Sequence, residues 1–127
     1  MKVGIKNQIK KTVVEELTAK VMGSGRLDVF ATPAMVAMME EAAHTSVENE
    51  LEEGQGTVGT SMIVSHLAAT PVGMEVTCES ELVEVDGRKL VFEIKAMDEA
   101  GLIGEARHER FIIENEKFLA KTNAKLK

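Results

Sequence analysis

The chain has 127 residues, 44% of them apolar, and a formal net charge of −6. That length fits one domain with a useful core, and charged residues spread along it describe a globular chain, not a disordered tail. The acidic balance, with four Phe, no Trp and no Tyr, speaks against nucleic-acid binding and against an anionic membrane.

The opening segment, MKVGIKNQIKK, is basic, but no apolar run long enough for a signal peptide follows it. No stretch approaches the roughly 20 apolar residues of a membrane helix. The single cysteine, Cys78, has no partner within the chain, which fits a reducing compartment. The expectation is a single cytoplasmic domain over 1–127.

In chain order, residues 9–17 (IKKTVVEEL) read as a first strand, and Gly23-Ser24-Gly25 breaks the pattern. Thr32 then reads as a helix N-cap, with Pro33 at the first helical position, where its missing N–H costs nothing. Good helix formers follow, PAMVAMMEEAAHTSVENELEE, up to Gly54. At about 100° per residue, Met35, Val36, Met39, Ala42, Ala43 and Val47 gather on one side. This is the expected central, largely buried helix.

After Gly56 the periodicity changes to two. Residues 57–69 make one strand, stopped near Pro71. Met74, Val76, Cys78, Ser80 and Leu82 alternate with Glu75, Thr77, Glu79 and Glu81. Asp86-Gly87 turns the chain into a second alternation of Leu90, Phe92, Ile94 and Ala96. A turn at 98–101 leads to the last strand, 104–113, and KFLAKTNAKLK reads as a frayed or solvated end. One strand, a buried helix and four strands joined by short turns make an α+β fold with an antiparallel sheet wrapped on the helix.

Several polar residues fall where the pattern is apolar. Glu40 lies beside Val47 and Leu51 at the edge of the helix stripe. A carboxylate there loses solvation, a condition suited to proton transfer. The plainer alternative is a solvated carboxylate, or one paired with His44 a turn later. By alternation His66 shares a face with Val58, Met62 and Val64, as a hydrogen-bonded structural histidine or a catalytic one. The same parity puts His108 and Arg110 inward with Gly104, Ala106 and Ile112. An inward arginine requires an anion, either Glu40, an interface carboxylate or a substrate. Thr32 has the capping role to explain it, yet a helix N-terminus also offers amides to a polarised carbonyl oxygen. Gly59 either lets a ligand approach backbone or marks a bulge. The methionines and Cys78 read as packing, and no cluster has metal-ligand spacing.

Phe30-Ala31-Thr32-Pro33 with MVAMMEEA, the stretch GTVGTSMIVSHLAATPVGMEVT, and His108-Glu109-Arg110 together resemble the fluoroacetyl-CoA thioesterase family of hotdog thioesterases. The resemblance covers most of residues 28–120. It implies a hotdog fold, a homodimer or a dimer of such dimers, and acyl-CoA thioester hydrolysis with no metal and no cofactor beyond the CoA of the substrate. It carries over Thr32, Glu40 and His66 as the catalytic set, with Gly59, Arg110 and Phe30 around the substrate. The family enzyme has aromatic lid residues before this motif, where this chain has Gly25-Arg26-Leu27-Asp28-Val29. A general short-chain acyl-CoA is therefore expected. The rival expectation is a non-catalytic acyl-CoA binding or sensing module on the same fold.

Overall fold

The period-two stretch around Cys78 closes its apolar side on the helix, with Val76, Cys78 and Leu82 all buried. In the computed structural model, which covers residues 1–127, the chain forms β1 (Lys6–Thr12), a short α1 (Ala19–Met22), the central α2 (Thr32–Ser46), then β2 (Gln55–His66), β3 (Glu75–Asp86), β4 (Lys89–Asp98), β5 (Gly101–Glu114) and α3 (Asn115–Asn123). The strands make one five-stranded sheet in the order β1-β3-β4-β5-β2, with every neighbouring pair antiparallel. β1 and β2 are the two edges.

The sheet wraps α2, whose buried side is Ala34, Met35, Met38, Met39, Ala42 and Ala43. Burying each methionine is worth about 1.5–3 kcal/mol, so packing holds this helix far more than propensity does. Polar clamps fix its position along the sheet. The Ala42 carbonyl accepts from Asn7 Nδ2 at 3.0 Å and Ser80 Oγ at 3.2 Å, and Asn7 Nδ2 also donates to Thr45 Oγ1. Gly104 permits a close approach at the other end, since a Cβ there would stand 2.6 Å from Met35 Sδ. No helix is long and apolar enough to cross a membrane.

Several expectations are corrected. The first strand ends at Thr12, because Val13 turns into the core and 15–17 form a 3-10 turn. α2 stops at Ser46, short of Gly54. The Thr45 and Ser46 hydroxyls bond back to the carbonyls of Glu41 and Ala43, which competes with continued helix. A 3-10 turn then spans Glu48–Glu50. Thr32 is not the N-cap. Ala31 holds that position, without a side-chain cap, which frees the Thr32 hydroxyl for another partner. The C-terminal segment is solvated, as one of the two expected alternatives had it, with every residue exposed, and it is helical in α3 rather than frayed.

Candidate active site

Alternation along β2 breaks once. Cross-strand pairing with β5 shifts between Gly59 and Ser61, a bulge that reverses which parity faces the helix. Before it, Thr57 and Gly59 lie opposite inward Ile112 and Arg110; after it, Met62, Val64 and His66 lie opposite His108, Ala106 and Gly104. Gly59 and His66 thereby share the inner face. Val58, expected on that face, instead lies opposite the exposed Phe111.

At the His66 end, the Thr32 hydroxyl stands 2.7 Å from His66 Nδ1. The first turn of α2 and the last residue of β2 form this pair, in which either atom donates according to the ring's tautomer. Burial lowers His66 from its ordinary value, with the Ala68 backbone opposing. Its Nε2 is shielded from solvent and has no hydrogen-bond partner.

Glu40 belongs to a second cluster. Eight residues along a helix amount to about 12 Å, so within one chain its carboxylate is remote from Thr32. Arg110 NH1 donates to Glu40 Oε2 at 3.2 Å, which pairs the inward arginine of β5 with the Glu40 carboxylate. The guanidinium also donates from Nε to Thr57 Oγ1 at 2.8 Å and from NH2 to the Thr57 carbonyl at 3.0 Å. His108 Nε2 lies 3.1 Å from NH1, and His108 Nδ1 lies 2.8 Å from the Ser61 carbonyl. Arg110 has five N–H groups, so four are engaged and one on NH2 remains.

Gly59 leaves room here for the Glu40 carboxylate in its present position. A Cβ at that position would come within 2.7 Å of Glu40 Oε2, 3.2 Å of His108 Cε1 and 3.3 Å of Arg110 NH1. The Glu40 side chain keeps 42% of its exposure and opens on a cavity of about 490 Å³ lined by Ala37, Glu40, Glu41, His44, Thr45 and Arg110. A larger depression of about 770 Å³ over β1, β3 and β4 has no hydrophobic lining and holds none of Thr32, Glu40 or His66.

The expected residues therefore fall into two groups, Thr32 with His66 and Glu40 with Gly59 and Arg110. Phe30 joins neither. It is 2% exposed and part of the core, because its backbone N–H bonds to the Thr70 carbonyl and its ring turns inward. His44 faces Glu48 rather than Glu40. Burial pushes the Cys78 thiol up to about 12, with Lys11 opposing, which leaves it unreactive. Sequence reasoning gave His108 an inward direction but no role, and it did not single out Thr57. The inward parity shared with Arg110 was the available signal for His108.

Comparison with known proteins adds independent findings. The family described as fluoroacetyl-CoA-specific thioesterase matches residues 13–116. The chain is 45% identical to the fluoroacetyl-CoA thioesterase of Streptantibioticus cattleyicolor over 98 residues, 77% of this chain and 70% of that protein. A crystal structure of a variant of the fluoroacetyl-CoA-specific thioesterase FlK, in complex with fluoroacetate and CoA, superposes with a TM-score of 0.88 at 37% identity, covering 93% of this chain and 99% of that one. A hot-dog-like protein from Thermanaerovibrio acidaminovorans gives 0.90 at 23% identity, covering 98% and 93%, a likeness of fold.

Proposed function

The chain belongs to the fluoroacetyl-CoA-specific thioesterase family, and from that membership we propose that it hydrolyses the thioester of a small acyl-CoA at a site completed by a second copy of itself. The observation that carries this reading is the division of the site. Thr32–His66 lies at the C-terminal end of the edge strand β2, and Glu40–Arg110 lies against Gly59 further back along the same inner face.

An edge strand is the natural place for two copies to meet. The β1 edge carries Lys6, Lys10 and Lys11, a charge pattern that discourages pairing. β2 spans 12 residues, QGTVGTSMIVSH, with no Asp, Glu, Lys or Arg, and Ile63 on it is 70% exposed. Counting the bulge, a two-fold axis through Ile63 would set Gly59 of one copy opposite His66 of the partner subunit, both on the inner face. Glu40 of one chain would then face the Thr32–His66 pair of the other, and two equivalent sites would form.

In that arrangement Glu40 takes a proton from water, and the water oxygen adds to the thioester carbon. The same carboxylate adding directly to the carbonyl would give an acyl-enzyme that water then cleaves. Amides at the open start of α2 and at Gly59 face the developing oxyanion. The carbon–sulfur bond breaks, and the CoA sulfur takes a proton delivered through His66. Thr32 holds the ring through Nδ1. The products are the free acid and CoA. The chain's own carboxylate, imidazole and hydroxyl supply this chemistry, with CoA entering as part of the substrate. The setting we assign is the cytoplasm, a reducing compartment that suits the lone buried thiol.

Thiol release measured over a panel of acyl-CoAs of increasing chain length tests the reading. Turnover is expected to be greatest with two- to four-carbon acyl groups. Tight binding of the panel with no thiol released from any member would overturn hydrolysis and leave a sensing module.

A further inference from the structure

His108 adjoins the Glu40–Arg110 pair, with Nε2 3.1 Å from Arg110 NH1. Its ring is 1% exposed and held beside Phe92, with centroids 6.2 Å apart. Hydrogen-bond chemistry assigns its tautomer. The Ser61 carbonyl only accepts, so Nδ1 carries the proton and donates to it at 2.8 Å. Arg110 only donates, so Nε2 is bare and accepts from NH1 at 3.1 Å. Burial, the largest influence, lowers His108 from its ordinary value, and Arg110 reinforces this against the Ser61 carbonyl and Glu40. All of this describes a neutral imidazole.

The two N–H groups of Arg110 NH1 are then both used, one on Glu40 and one on His108. Nε and NH2 are tied to Thr57. Without an acceptor at His108 Nε2, one NH1 hydrogen would point into protein with no partner, and the guanidinium would turn to satisfy it. Its hold on Glu40 would move with it. His108 Nε2 lies 3.9 Å from Glu40 Oε2, beyond hydrogen-bond reach, and having no proton it donates nothing to the carboxylate. It acts on Glu40 only through Arg110.

We infer that His108 is a positioning residue for the hydrolysis: anchored to the carbonyl of Ser61 at the β2 bulge, it orients Arg110 and through it the Glu40 carboxylate that attacks or activates water. This rests on the role of Glu40 proposed above. The bulge thus does two things, turning Gly59 inward to make room and supplying the carbonyl that sets the ring.

Two substitutions separate the two bonds of the ring. His108→Asn keeps a donor near Nδ1 for Ser61 and removes the acceptor for Arg110. His108→Gln places an amide oxygen within reach of Arg110. In the whole enzyme, with folding checked by circular dichroism and thermal unfolding, His108→Asn is expected to lower kcat about tenfold or more and to move KM less than about twofold. His108→Gln is expected to retain about a third or more of kcat. In a Glu40→Gln background, His108→Asn is expected to add no further loss, since both act on one group. An unchanged kcat in folded His108→Asn, or an equal loss in both backgrounds, would overturn the inference. If the asparagine variant does not fold, a folded glutamine variant as inactive as Glu40→Gln would overturn it instead. Normal turnover in Glu40→Gln itself would strike at the role of Glu40, a separate failure.

Discussion

The Thr32 hydroxyl and His66 Nδ1 meet at 2.7 Å across 34 residues of chain, and neither takes part in capping α2. Because Ala31 holds the N-cap position, Thr32→Val removes the contact to His66 with little structural loss. Its thermal stability is expected to change by about 0.5 kcal/mol or less, as at other exposed positions, while turnover falls about 100-fold. His66→Ala is expected to lose turnover to the same extent. Steady-state kinetics beside thermal unfolding checks both, and a stability loss matching the activity loss would return Thr32 to a structural role.

Glu40→Gln is expected to remain folded and to lose about 100-fold or more in kcat. The proposed sharing of each site between two copies makes a sharper prediction. When Glu40→Gln and His66→Ala proteins are mixed and allowed to exchange subunits, half the dimers pair the two chains. Each such dimer holds one intact site, so activity is expected to recover to about a quarter of wild type. Mixtures that stay inactive after exchange would mean that each site is built within one chain.

The proposed dimer is open to measurement. Sedimentation is expected to give a mass of about 28 kDa, twice the 13.8 kDa protomer. Ile63→Lys, placing charge on the apolar β2 edge, is expected to shift the population toward monomer and lower activity at dilute enzyme concentrations. A wild-type mass of one protomer at working concentrations would remove β2 pairing from the mechanism.

Gly59→Ala tests the space beside the carboxylate. The added Cβ would overlap Glu40 Oε2 first, at 2.7 Å, and that atom ends a flexible side chain that can swing away. Stability is expected to change by about 1 kcal/mol or less, whereas kcat falls about tenfold or more because the carboxylate is displaced by around an ångström. A folded variant with normal kcat would show that Glu40 does not need its present position.

Acid should destabilise the fold through two desolvated imidazoles, the buried His108 and the half-buried His66. Burial lowers both His66 and His108 from the ordinary 6.5, with weaker influences from Ala68 at the first and from Ser61, Arg110 and Glu40 at the second. Between the folded and unfolded values the unfolded chain binds more protons, so the free energy of unfolding falls as pH drops below about 6.5 and is level above it. The melting temperature is expected to decrease between about pH 7 and pH 5.5, and less steeply in His108→Gln. A melting temperature that rises over that interval would contradict a neutral His108.

Local pattern was enough for much of the protein. The period of two around Cys78 and along β4, the turn at Asp86-Gly87, the helix start near Pro33 and the inward parity of His108 and Arg110 were all legible in the sequence. Each depends on residues within a few positions of one another. Family resemblance, not periodicity, supplied the set Thr32, Glu40 and His66.

Tertiary structure alone decided how these pieces meet. Pairing with β5 sets the β2 bulge, which turns Gly59 and His66 to one face where simple alternation separates them. It also sent Phe30 to the core and gave Arg110 to Glu40, 70 residues away in the chain. Periodicity reports which side of its own element a residue occupies. Register, bulges and ion pairs arise from hydrogen bonds and packing between distant elements, and no local window contains both partners.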